Sequence, residues 1–189
     1  MIINIDPADA YHEGGHAAMF WHYGIALDYV SIEPDLDHGY GGVTVPLPRP
    51  DLSGQTELEN EMRISAAGKA AKWCIRRRPL PEVDYLISNF NAAAADLQAN
   101  PDSPIHNDWR NFARAALARD EEFREAGLDL DAGPASWVPV WLEAEEMIRG
   151  MLWPAVNAVA DALIATTQPH QIDGETAAAL MSAAMIQHA

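Results

Sequence analysis

The chain has a single cysteine, Cys74. That excludes an internal disulfide and any zinc site built from several thiolates; it fits a reducing compartment, with Cys74 expected as a small buried apolar residue. Basic residues are also scarce, with 12 Lys and Arg against 28 Asp and Glu and a formal net charge of -16. Nucleic acid and anionic membrane are therefore not expected as partners, because both require clustered cations that displace counterions. The one basic run, Arg76-Arg77-Arg78, reads as a cationic helix end complementing the helix dipole. Long apolar runs are missing too: nowhere do about 18 uncharged apolar residues follow one another. The amino-terminal "MIINIDPADA" has no basic segment ahead of an apolar core. A cytoplasmic chain without a membrane anchor is expected.

What is present suffices for a core. At 189 residues and 49% hydrophobic, the chain is expected to form one domain over residues 1–189. Asp6 as N-cap, Pro7 at the first helical position and Gly24 after Tyr23 predict a first helix. "LDYVSIEP", from Leu27 to Pro34, alternates apolar and polar residues. With the Gly-rich "DHGYGG" and then "VTVPLP", it predicts a small β-hairpin whose second strand Pro46 and Pro48 keep short or at an edge. From there the pattern is helical: Thr56 to Arg77, Val83 to Ala99, Ile105 to Ala126, Val138 to Thr167 and Gly174 to Gln187. Pro154 should kink or split the fourth of these, and "GLDLDAGP" reads as a short linker. The fold class expected is mainly α.

Inside the first helix stands "AYHEGGHAAMFWHYG", with His12, Glu13 and His16 in the order HExxH. Random shuffling of such a composition produces the pattern in roughly two chains per hundred, so its surroundings must supply further support. At 3.6 residues per turn, His12 and His16 can aim two imidazoles at one ion. Glu13 can reach a water in an open coordination position and serve as its general base. Zinc lowers the pKa of such a water to about 7, and peptide hydrolysis follows from that chemistry. Gly14 and Gly15 each cost about 1 kcal/mol in a helix, which implies that another backbone passes close to them.

A hydrolytic zinc takes a third protein ligand. His22 has the spacing of the extended HExxHxxGxxH pattern, but Met19 stands where that pattern needs a helix-breaking Gly. Continued helix would turn His22 about 80° away from His12. Glu61 on the next helix and Asp108 in "IHNDWRNFARAA" are the carboxylate candidates, with bland readings as a solvated face and a capping group. Spacing leaves both open.

"AYHEGGHA" is similar to the zinc-helix signature of the peptidase domain of FtsH-type ATP-dependent proteases. "YVSIEPDLDHGYGGVTVPLP" resembles the strand pair that follows it in that family, and "AAGKAAKW" the small-residue stretch of a later helix. "HNDWRNFARAA" resembles the helix opening with Asn-Asp that supplies the family's third zinc ligand, and "AVADALIATTQPHQIDGETAAALM" its closing helices. The resemblance touches nearly the whole chain. It implies an FtsH peptidase-like helical fold with a β-hairpin at the active site, and Zn²⁺ held by His12, His16 and Asp108. It departs from the family in lacking a P-loop, an AAA module and a membrane anchor. An apparent inserted helix around "VDYLISNFNAAAADLQ" could shift the register, making Asp84 or Asp96 competitors of Asp108.

The function these features imply is zinc-dependent hydrolysis of peptide bonds, with Glu13 as catalytic base. The segment Gly42-Val43-Thr44 would be an edge along which an extended peptide substrate adds itself. Unstructured polypeptides, or chains unfolded by an ATPase acting in trans, are the substrates this implies, and the family's rings make a homo-oligomer an expectation. The alternative is a non-catalytic binding or scaffold protein that keeps the fold and a structural metal.

Overall fold

A computed structural model describes residues 6–33, 42–48, 54–101, 107–127 and 133–188. Helix α1 (Pro7–His22) begins where the Asp6 carboxylate accepts a hydrogen bond from the Ala8 backbone N–H at 2.9 Å. It ends at Tyr23, and Gly24 follows at φ +69°, a left-handed turn that glycine adopts without strain. Strand β1 (Leu27–Ser31) then pairs antiparallel with β2 (Val43–Pro46), with Val30 opposite Thr44. Pro34 and residues 37–41 of the expected turn lie outside the described residues.

The sheet has one strand more than the expected hairpin. On the other side of β1 runs β3 (Gln171–Asp173), giving the order β2-β1-β3, with Ile172 opposite Val30 and both buried. Strand β2 is thus an edge, as its proline content requires.

The remaining elements are helices: α2 (Gln55–Ile75), α3 (Val83–Ala99), α4 (Asp108–Glu125), α5 (Pro134–Arg149), α6 (Trp153–Ala165) and α7 (Gly174–Gln187). The described chain is therefore mainly α. The start expected for α4, Ile105, lies outside the described residues, as does 128–132 of the linker. Helix α2 stops short of Arg77, which takes φ +52°, while Arg76 pairs with Asp6 at 2.5 Å and ties the end of α2 to the start of α1. Helix α5 starts at Pro134 rather than Val138, because proline suits a first helical position. The long helix around Pro154 is split: α5 ends at Arg149, and Pro154 sits in the first turn of α6. Cys74 is half-buried rather than buried.

Helix α2 packs against α1, α4 and α5, and α6 covers the other flank of α1. The small residues of α1 explain how closely. A Cβ added at Gly14 would lie 2.9 Å from the Val156 carbonyl oxygen on α6, and one at Gly15 would lie 2.5 Å from that of Ala67 on α2. Two helix backbones therefore flank the HExxH turn, as the paired glycines lead one to expect. An aromatic block fixes α4 and α5, with Trp109 stacked on Trp141 at 4.0 Å and Phe90 of α3 stacked on Trp137 at 4.4 Å. Such pairs add about 0.5–1.5 kcal/mol each beyond the area they bury. Among the described residues no single helix is long and apolar enough to cross a membrane; α5 and α6 reach that composition only as a pair bent by 69°.

Candidate metal centre

One turn of α1 places the Nε2 atoms of His12 and His16 3.2 Å apart. Asp108, at the start of α4, brings Oδ1 to 3.2 Å from His16 Nε2 and Oδ2 to 3.3 Å from His12 Nε2. These separations suit one ion. Bonds of about 2.0–2.2 Å at a tetrahedral angle put neighbouring donors about 3.3–3.5 Å apart. His16 also has the outer contact that metal histidines usually make: its Nδ1 lies 2.8 Å from the Ile64 carbonyl oxygen. With the Nδ1 proton donated there, Nε2 presents its lone pair inward. Asp108 Oδ2 is buried and makes no hydrogen bond among the described residues, and neither does His12 Nδ1 on the outer side of its ring. A buried carboxylate whose two oxygens each face one imidazole nitrogen, Oδ2 without a hydrogen bond among the described residues, is a donor arrangement that fits a cation.

Space for such an ion would come from α2. A Cβ at Gly68 would stand 2.3 Å from His16 Nε2 and 2.8 Å from His12 Nε2, so only glycine leaves the donors clear. Sequence reasoning noted the stretch "AAGKAAKW" but gave Gly68 no role; the cost of a glycine inside a helix was the available signal.

Asp108 reaches the histidines because its neighbours take up the other duties of the helix start. Asn107 is the N-cap, its side-chain oxygen accepting from the Arg110 N–H at 2.8 Å. Trp109 enters the aromatic block, and buried Arg110 pairs with Asp96 and donates to the Asn100 carbonyl. Helix α3 therefore anchors the start of α4. Asp96 is used in that anchor, and Asp84 lies exposed in the first turn of α3. Glu61 lines the same cavity without belonging to the three-donor group, while His22 is exposed at the end of α1 with its ring 5.1 Å from that of Tyr23.

Without a metal, the cluster divides its charge unevenly. Burial pushes His12 down to about 4. Burial also opposes charge on His16, but the Asp108 carboxylate outweighs it and lifts this imidazole to about 9. Burial works against the Asp108 anion as well; His12, His16 and Lys69 prevail and hold it well below the usual carboxylate range. The Lys69 ammonium stands 3.7 Å from Asp108 Oδ2.

Glu13 is 5% exposed, and burial raises its carboxyl to about 7. The Thr44 hydroxyl lies 2.9 Å from Glu13 Oε2 and 3.0 Å from the Glu13 carbonyl oxygen. A Cβ at Gly42 would meet Glu13 Cγ at 2.9 Å and Oε1 at 3.0 Å. Of the segment Gly42-Val43-Thr44, then, two residues touch the glutamate, and all three line the cavity of about 750 Å³ that contains His12, Glu13, His16 and Asp108. That volume is within the range of small-molecule and peptide subsites. No protein-family model matches the chain, and no curated protein matches it. The functional argument therefore rests on these side chains.

Proposed function

We propose that the chain is a zinc metallopeptidase with an FtsH peptidase-like fold, acting on unstructured polypeptides or on chains unfolded by an ATPase partner. The observation that carries this reading is the convergence of His12, His16 and Asp108 beside buried Glu13 in one cavity. Two imidazoles and a carboxylate are a donor set that zinc accepts in hydrolytic sites, with a coordination position to spare. When bound, zinc supplies a Lewis acid and lowers the pKa of water to about 7.

The protein's own groups do the rest. Glu13 takes a proton from the attacking water and returns it to the leaving amine, and its buried place in the cavity beside the donor group suits it to both duties. Helix α2 closes the far side of the cluster at Gly68, so the donors face the cavity. Strand β2 has no partner on its outer side among the described residues, and an extended peptide aligned there would run past Glu13. A metal kept only for structure gives no reason to bury an ionisable glutamate beside it, which favours the enzyme over a scaffold.

Elemental analysis of purified protein should find about one zinc per chain, and Asp108→Ala should abolish its retention while Glu61→Ala leaves it. Glu13→Gln should keep zinc and slow cleavage of an unstructured test protein by at least about a hundredfold. Undiminished cleavage by Glu13→Gln, or full zinc retention by Asp108→Ala, would overturn the proposal.

A further inference from the structure

We infer that strand β2 and the residue before it are the positioning device for the glutamate, through the Thr44 hydroxyl and the missing side chain of Gly42. Glu13 hangs from α1 by a flexible side chain, and Ala10 and Ala17, three before and four after it on the same face of the helix, are too short to brace it. The bracing comes instead from across the chain. Thr44 Oγ1 has one hydrogen and two acceptors in reach, Glu13 Oε2 at 2.9 Å and the Glu13 carbonyl at 3.0 Å. The hydroxyl hydrogen that reaches Oε2, the nearer of the two, fixes the plane of the carboxyl group. Gly42 walls the other side: Glu13 Cγ and Oε1 and the Ser31 carbonyl occupy the volume a Cβ would need, at 2.9, 3.0 and 2.9 Å.

The arrangement has a consequence for substrate. Val43 lies between the two bracing residues, on the edge strand whose outer side is open among the described residues. One edge of β2 pairs with β1 and the outer edge would take the extended peptide, while Thr44 and the preceding Gly42 hold the base from the same short segment. A base must meet its proton within hydrogen-bonding distance and in line, which makes such bracing a matter of turnover more than of binding. Thr44 and Gly42 are positioning residues, and Glu13 alone exchanges the proton.

This inference rests on the metallopeptidase reading, so its test has one arm that needs no turnover. In zinc-loaded protein, Thr44→Val keeps the volume and removes the donor, Thr44→Ser restores the donor, and Gly42→Ala presses on Glu13 and on the Ser31 carbonyl. Thr44→Val and Gly42→Ala should lower kcat about tenfold to a hundredfold with KM within about twofold and zinc content unchanged, and Thr44→Ser should recover most of the loss. A fall confined to KM, or Thr44→Ser as slow as Thr44→Val, overturns it. Crystal structures of zinc-loaded wild type and Thr44→Val decide the same point independently: the inference expects the Glu13 carboxylate to rotate or split between conformers in the variant, and an unmoved carboxylate overturns it. Should the wild type cleave nothing, the peptidase reading falls by itself, while the crystallographic arm still decides what holds Glu13.

Discussion

Two acids of this protein are enclosed for different ends. Glu13 is braced in the cavity that holds the donor triad, whereas Glu145 is buried on α5 with Oε1 accepting from Arg149 Nε at 2.9 Å and Nη2 at 2.7 Å. Its other oxygen is buried and makes no hydrogen bond among the described residues. Burial pushes the Glu145 carboxyl up, and Arg149 offsets this only in part. The sign of the effect on stability follows. A carboxyl whose pKa is higher folded than unfolded binds more protons in the native state, so its contribution is fully present below the unfolded value of 4.5 and is lost as pH rises through the folded one. Glu145→Gln keeps the shape and removes the titration. Denaturant unfolding of both proteins from about pH 4 to about pH 8 should show the stability difference moving in favour of Glu145→Gln as pH rises; a difference that stays flat, or moves towards wild type, would show that Arg149 fully compensates the charge.

At the scale of elements, glycine in α1 and α2 sets both the packing and the room around the donor group. Gly15→Ala drives a Cβ to 2.5 Å from a backbone carbonyl that has no rotamer with which to yield, so α1 and α2 must separate. A loss of about 1–3 kcal/mol or more is expected, read from denaturant midpoints. Gly68→Ala meets imidazole atoms instead, which can rotate away. Its metal-free stability should change by less than about 1 kcal/mol, since helix propensity gains what contact loses, while zinc affinity falls at least tenfold by competition with a chelating dye. Equal zinc affinity in Gly68→Ala would show that the donors do not need the space. These contrasts mark what could be read ahead of the structure. The limits of α1 and the break at Pro154 were legible because caps and prolines act locally, and α3 and α7 run over the residues their patterns predict. Strand β3 was not, since three residues are too few to show alternation and its pairing with β1 joins segments far apart in the chain. The two histidines and Glu13 were legible as a motif, whereas spacing left Asp108 one of several acids and only the resemblance of "HNDWRNFARAA" singled it out. That Asn107 takes the capping duty, that Arg110 reaches back to α3, and that Thr44 faces Glu13 are facts of tertiary placement, with no periodicity to announce them.

For the molecule as a whole, the proposed metal would act as a staple. Its donors come from α1 and α4, two helices held side by side mainly through α2, which packs on both. An unfolded chain cannot keep His12, His16 and Asp108 within a few ångströms of one another, so a metal that binds them binds the native state and stabilises it by mass action. At a free zinc concentration of 100 times Kd the gain is about 2.7 kcal/mol. For a chain of this size, that corresponds to a rise in Tm of about 5–10 °C. The net charge of -16 works in the same direction, because a divalent cation relieves part of the self-repulsion of an acidic fold. That second contribution is unspecific and screened by salt, whereas the first requires Asp108. Calorimetric scans with and without zinc, at low and at moderate ionic strength, separate the two: the rise in Tm should persist in salt for the wild type and vanish in Asp108→Ala. A rise of equal size in Asp108→Ala would place the stabilising ion somewhere other than between α1 and α4.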